Sequence, residues 1–344
     1  MHITREQKKI FYVNSVLTGL LVPGFAVYSW LVCGFQTYSY LPGPNLYPDW
    51  MKHHQATPLS SLVLPGTHDS LIYEAVDISQ DYDDSNKPAL VEQVQKLRWV
   101  PGLNYKINRW TQTQTSNLYQ QLMHGIRCFD IRIVSYSEKV YGIHSFVSSD
   151  FALALIHLLV FLREHPNELV FLRYLSNSTL GDARLLAAVG SLLISPSQIS
   201  GSPVQCTVGQ LLKHGNIVLL CANPVGVLVE VAFPDFIHHD WKNTFDAEEK
   251  INHVTQDLES HSDLTEMFNL DWTLTPQATQ VLVDPSDLLV HAQRFNQQLA
   301  CYWQRLSSTH RNKIRVVSVD NEASFSLYEV LYNRTSSGGF ASPS

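Results

Sequence analysis

The chain has 344 residues, 45% of them hydrophobic, which is enough apolar material for one large domain and excludes a mainly disordered protein. Its formal net charge is -7 and its 24 basic residues are scattered, which excludes the positive footprint of a nucleic-acid binder. The five cysteines, Cys33, Cys128, Cys206, Cys221 and Cys301, fit no zinc spacing and read as buried thiols, with one disulfide left open should the chain be exported.

After Arg5, Lys8 and Lys9 no charged residue appears before Asp49, and residues 10–35 are apolar over about the length of a bilayer crossing. Residues 1–45 are therefore expected to form a signal anchor or uncleaved signal, placing the protein at a membrane or in the secretory route. Asn14, Gly19, Pro23 and Gly24 keep a buried hairpin as the alternative. Sequons at Asn177 and Asn333 are compatible with export.

Short apolar runs then alternate with longer helical stretches. SSLVLPG reads as a buried strand ending in a turn, and residues 71 to 110 as a partly helical excursion from it. GIRCFDIRIV and VYGIHS are the next two predicted strands, followed by the buried helix ALALIHLLVFLREH. ELVFLRYL is a strand and DARLLAAVGSLL a helix; NIVLLCAN is a strand and AEEKINHVTQDLESH a two-faced helix. MFNLDWTLT is a further strand, SDLLVHAQRFNQQLACYWQRL a long helix, IRVVSVD the last strand and SFSLYEVLYN the last helix. Strands alternating with helices pair in parallel. The expected fold is α/β, a (β/α) TIM-barrel-like single domain over residues 46–335, distorted or incomplete, with a flexible tail at 336–344. A doubly wound open sheet is the alternative, but no glycine-rich phosphate fingerprint follows the first strand.

In such a barrel reactive groups sit where strands end. The first strand ends at His68 and Asp69, the second carries Asp130 and Arg132 on one face, the third ends at His144 and the last at Asp320. Each has a plain structural reading alone: a hydrogen-bonded histidine, an ion pair, a helix cap for Asp320. Their convergence on one rim is what points to chemistry.

LPGTHDS, QTSNLYQQLMHGIRCFDIRI, YGIHS and FLREHPNELVFLRY resemble the X-domain of phosphatidylinositol-specific phospholipase C, most of all the bacterial and X-domain-only forms. WTLTP and VSVDNEASFSLYEVLYN resemble the end of the X-domain-only proteins, so the similarity runs from about Leu59 to Asn333. The resemblance implies that His68 takes the proton from the inositol 2-hydroxyl and His144 gives one to the departing diacylglycerol oxygen. It further implies that Asp320 orients His68, that Asp69 supports His144, and that Arg132, with Asp130 beside it, holds the phosphate oxygens. Histidine suits both proton roles because it titrates near neutrality, and arginine is a fixed bidentate cation for phosphate. The implied products are diacylglycerol and a cyclic inositol phosphate, made by a monomer acting on phospholipid at a membrane surface.

Calcium-using relatives carry asparagine after the first histidine and acidic residues on the second strand; here Asp69 and Arg132 stand there, so no metal cofactor is expected. Two features depart from the family. Ser145 replaces the usual glycine after the second histidine, and Arg173 is the one evident basic residue on a later strand, open to an extra phosphate or to a structural carboxylate. A catalytically weak headgroup-binding protein is the main alternative. A metal-dependent phosphodiesterase on the same barrel is a third reading, for which Asp130 beside Arg132 is a poor start.

Overall fold

A computed structural model describes residues 44–76, 96, 99–176, 178–263 and 265–332. The expected apolar segment up to residue 43, the tail, and both sequon asparagines lie outside the described residues. Among the described residues no helix is long and apolar enough to cross a membrane.

Among the described residues ten strands follow in chain order: β1 (Leu64–Thr67), β2 (Cys128–Tyr136), β3 (Lys139–His144), β4 (Phe146–Asp150), β5 (Val170–Ser176), β6 (Ile217–Cys221), β7 (Phe233–Pro234), β8 (Ile237–His238), β9 (Met267–Trp272) and β10 (Ile314–Val319). All ten join one sheet, eight of them along the path β7-β6-β5-β2-β1-β10-β9-β8, where every neighbour is parallel, with β3 and β4 added antiparallel beside β2. β7 and β8 are consecutive in the chain yet sit at opposite ends of the sheet, with no pairing between them among the described residues. The barrel is open there.

Side-chain alternation sorts the core into two shells. Leu64, Cys128, Phe171, Val218, Leu220 and Val316 fill the interior of the curled sheet. Phe129, Ile131, Leu172, Leu219, Leu270 and Val317 face outward and meet the helices. Those helices include α1 (Phe151–Glu164), α2 (Thr179–Val189), α3 (Ala247–Ser260) and α4 (Leu288–Arg305). Each begins at a side chain that accepts backbone N–H groups of the first turn, namely Asp150, Ser178, Asp246 and Asp287.

Two differences from the sequence reading matter. VYGIHS, expected as a barrel strand, is β3, which returns antiparallel along the extended β2 with Ile133 opposite Gly142. A Cβ on Gly142 would lie 2.5 Å from that of Leu71, so only glycine lets this return strand approach the turn after β1. The two barrel strands missed by sequence are β7 and β8, whose two residues each carry too little alternation to be seen.

Arg127 fastens the closed end of the barrel. It is fully buried, and its Nε and Nη2 donate to Glu168 Oε2 at 2.9 and 2.7 Å, while Nη1 donates to the carbonyls of Leu122 and Ile126. Glu168 also accepts the backbone N–H of Met51 and Lys52, tying in the chain before β1. Removing one partner strands a buried charge. Glu168→Ala is expected to lower unfolding free energy by about 3–5 kcal/mol, measured by denaturant titration, whereas Arg127→Met with Glu168→Leu recovers most of it.

Candidate active site

His68 follows β1 directly, and its backbone N–H still donates to Val319 O at 3.1 Å, so the imidazole stands at the strand's C-terminal end. Gln114 fixes this position from behind, donating to the carbonyls of His68 and Val319 at 2.9 and 3.1 Å. Asp69 takes the left-handed conformation, φ 43°, which aspartate tolerates better than most residues. Thr113 Oγ1 donates to its carbonyl at 3.0 Å. The turn is thereby set before any substrate arrives.

Asp69 is 1% exposed and lies at the centre of the constellation. Its Oδ2 is 3.2 Å from His68 Nε2 and 3.5 Å from His144 Nδ1, and its Oδ1 is 3.1 Å from Arg132 Nε. Asp320, at the end of β10, meets His68 Nδ1 at 3.0 Å. It does not cap the following helical turn, whose N-cap is Asn321. Arg132 Nη2 donates to Asp130 Oδ2 at 2.7 Å along the inner face of β2. The two imidazole rings stand 6.1 Å apart at 74°. The structure thus brings His68, Asp69, Asp130, Arg132, His144 and Asp320 into one group.

His144 arrives by the return strand rather than a barrel strand, at the tip of β3 where His144 pairs with Phe146. Ser145 between them has φ 62°, the left-handed region in which glycine is unstrained. That conformation gives a physical reason for glycine at this place in the family.

Arg173 lies on β5 beside Asp130 in register, but its Nε and Nη2 both donate to Asp235 Oδ2, at 3.1 and 2.9 Å. Asp235, one residue past β7, escaped the sequence reading because β7 itself did. Asp271, near the end of β9, was also missed. It accepts the ammonium of the fully buried Lys250 at 2.6 Å, with His239 Nε2 at 3.6 Å. Its position in NLDW, two residues beyond Asn269 on the inward face, was the available signal.

The charges act on one another. Burial pulls the His68 imidazole down, but the Asp69 and Asp320 carboxylates outweigh it and hold its pKa up at about 9. Burial raises the Asp320 carboxyl, opposed by His68. Burial also works against the Asp130 carboxylate, yet Arg132, His68 and Arg173 carry its pKa well below the usual range. Asp69 and then Asp130 keep the Arg132 guanidinium charged, above its ordinary value. Ligand atoms of His68, Asp69 and Asp130 lie within 4.8 Å of one another, close enough for a metal ion. Both carboxylates already face the Arg132 guanidinium, which a divalent ion would have to confront.

No family model matches the chain. The mouse PI-PLC X domain-containing protein 2 is 31% identical over 137 residues, covering 37% of this chain and 38% of that protein. The zebrafish PI-PLC X domain-containing protein 3 is 27% identical over 256 residues, covering 69% of this chain and 76% of the relative. The chain spans less than half the length of the first curated relatives it matches. The phosphatidylinositol-specific phospholipase C of Listeria monocytogenes superposes with a TM-score of 0.61 at 19% identity, over 84% of this chain and 99% of the bacterial one. The fold is that of a phosphatidylinositol-specific phospholipase C barrel. The chain is similar in sequence to the PI-PLC X domain-containing proteins and shares the fold of the bacterial enzyme.

A titration prediction follows from the His68 surroundings. Because folding raises its pKa from 6.5 to about 9, the bound proton stabilises the fold fully below pH 6.5, and this contribution is lost as pH rises through about 9. In a ¹H–¹⁵N or ¹³C NMR titration the His68 ring should change state near 9, and Asp320→Asn should lower that midpoint.

Proposed function

We propose that the protein is a phosphodiesterase that cleaves phosphatidylinositol-type lipids by histidine acid–base catalysis, with Arg132 in place of a metal ion. The observation that carries this reading is the shared carboxylate of Asp69, in contact with His68, His144 and Arg132 at once. A protein that only bound a headgroup would have no use for a paired base and acid beside a phosphate-sized cation.

In the proposed reaction Asp320 holds the Nδ1 side of His68, and Nε2, 3.2 Å from Asp69 Oδ2, is the nitrogen that takes the proton of the inositol 2-hydroxyl. The freed oxygen bonds to phosphorus, the bond from phosphorus to the diacylglycerol oxygen breaks, and His144 protonates that departing oxygen. Arg132 is placed to balance charge on the non-bridging oxygens, a role for which its planar fork is suited. Diacylglycerol and a cyclic inositol phosphate result.

Exposed apolar residues support a lipid surface as the place of action. Trp99 and Tyr105 after β1, Val225 and Val227 after β6, Trp241 after β8 and Val283 after β9 all lie on segments that leave strand C-terminal ends, the end that bears His68. An amphiphilic substrate requires such a rim. The Arg173–Asp235 pair, whose side chains are partly exposed, offers charged and polar groups to a polyhydroxylated headgroup. A place at a membrane or in the secretory route belongs to this proposal.

Purified protein given phosphatidylinositol vesicles is expected to release a cyclic phosphate, detected by mass spectrometry. His68→Ala or His144→Ala should lower turnover about 100- to 10,000-fold, with circular dichroism unchanged; turnover equal to wild type would remove the assignment. Because the base must be unprotonated, kcat/KM should climb from neutrality toward pH of about 9. Adding calcium to a calcium-depleted assay should leave turnover unchanged, and a calcium requirement would favour metal-dependent hydrolysis.

A further inference from the structure

A second cluster of ligating side chains lies away from the rim. His238 ends β8, His261 caps the C-terminus of α3, and Glu266 immediately precedes β9. Their ligand atoms lie within 4.8 Å of one another. His238 pairs with Phe268 near the start of β9, so the cluster occupies the N-terminal end of that strand, opposite the end that carries the histidine pair.

His238 Nε2 lies 3.0 and 3.2 Å from the two carboxylate oxygens of Asp257, on the last turns of α3. A carboxylate accepts, so Nε2 is the nitrogen that donates to Asp257, and Nδ1 is the nitrogen turned toward the cluster. Nδ1 faces Glu266 Oε2 at 3.6 Å, too far for a hydrogen bond, and a cation between them would be shared by both atoms. The His261 ring lies against the same space, 4.7 Å from the His238 ring.

The surroundings have the features of a built metal site. Asp257 orients the ligating ring from behind, as carboxylates do in histidine-metal triads. Phe268 stacks on His238 at 5.4 Å and 23° and packs against His261 at 5.1 Å, fixing both rings against an apolar floor. The His261 backbone is held at both ends: its N–H donates to Asp257 O at 2.9 Å, and its carbonyl accepts Lys313 Nζ at 2.8 Å. Glu266 has a side chain 41% exposed and can swing inward to complete the set. Two imidazoles with one carboxylate and an open position suit zinc or a similar transition ion, whereas calcium and magnesium want oxygen ligands throughout.

We propose that His238, His261 and Glu266 bind a zinc-class divalent ion that pins the free edge of the open barrel, joining β8, α3 and the start of β9. β8 is two residues long and pairs only with β9 among the described residues, so few backbone bonds hold it. The role is structural and separate from the proposed lipid chemistry.

The test is a zinc titration of the full chain by calorimetry, with metal content after dialysis and thermal unfolding read in parallel. Wild type is expected to bind one equivalent with a midpoint in the micromolar range or below, and to unfold several degrees higher with zinc. His261→Ala should weaken zinc binding by about tenfold or more and abolish the thermal shift. Glu266→Gln, at an exposed position, gives the same readout if the histidine variant fails to fold. His68→Ala should keep the full zinc equivalent, which separates this site from the catalytic cluster. Absence of saturable zinc binding in wild type, or binding that survives Glu266→Gln and His261→Ala but disappears in His68→Ala, overturns the proposal.

Discussion

The rest of the rim is arranged around one carboxylate shut away from water. Asp69 is 1% exposed, its two oxygens make no hydrogen bond among the described residues, and a carboxylate of that kind persists only if charged neighbours replace its hydration. Three side chains from three places do so: His68 from the same turn, Arg132 from β2 and His144 from the tip of β3. Each gains a fixed position from the same oxygen pair, so the spacing of the two imidazoles and the guanidinium is set by a single buried anchor. Asp320 and Asp130 then hold the far sides of His68 and Arg132.

The opening in the barrel is compatible with that precision because of where it falls. β1, β2 and β10, which carry most of the site, are central in the sheet and paired on both sides. The unpaired edges, β7 and β8, are the farthest strands from β1 in either direction. Central strands bury their backbone groups in ladders and resist local opening, while edges tolerate shortness and irregularity. A ligand or ion that stiffened the β8 edge would therefore act on the stability of the sheet without moving the rim.

Much of the site was legible in the linear sequence, for a definite reason. Polar residues placed just after apolar strands, as in His68, Asp69 and Asp320, mark the rim of a parallel barrel because that is where the strands leave the apolar core. Asp130 and Arg132 shared a face by the two-residue period of a strand. Their supports were less visible. Thr113 and Gln114 lie in an irregular stretch, where no periodicity says that they donate to the carbonyls of Asp69 and His68. Asp235 and Asp271 depended on strands too short or too mixed to place, and the match of Arg173 with Asp235 spans 62 residues of chain.

The sequence by itself determined the alternation of strands and helices, the side of each strand that faces the core, and the residue types at the strand ends, because these follow from local periodicity and side-chain chemistry. Only the tertiary structure decided that VYGIHS folds back as an antiparallel return and delivers His144 from outside the barrel. It alone decided that the sheet stays open between β7 and β8, and that one aspartate serves two histidines and an arginine. Those outcomes rest on close packing and on shared burial between segments far apart in the chain, which no local pattern encodes.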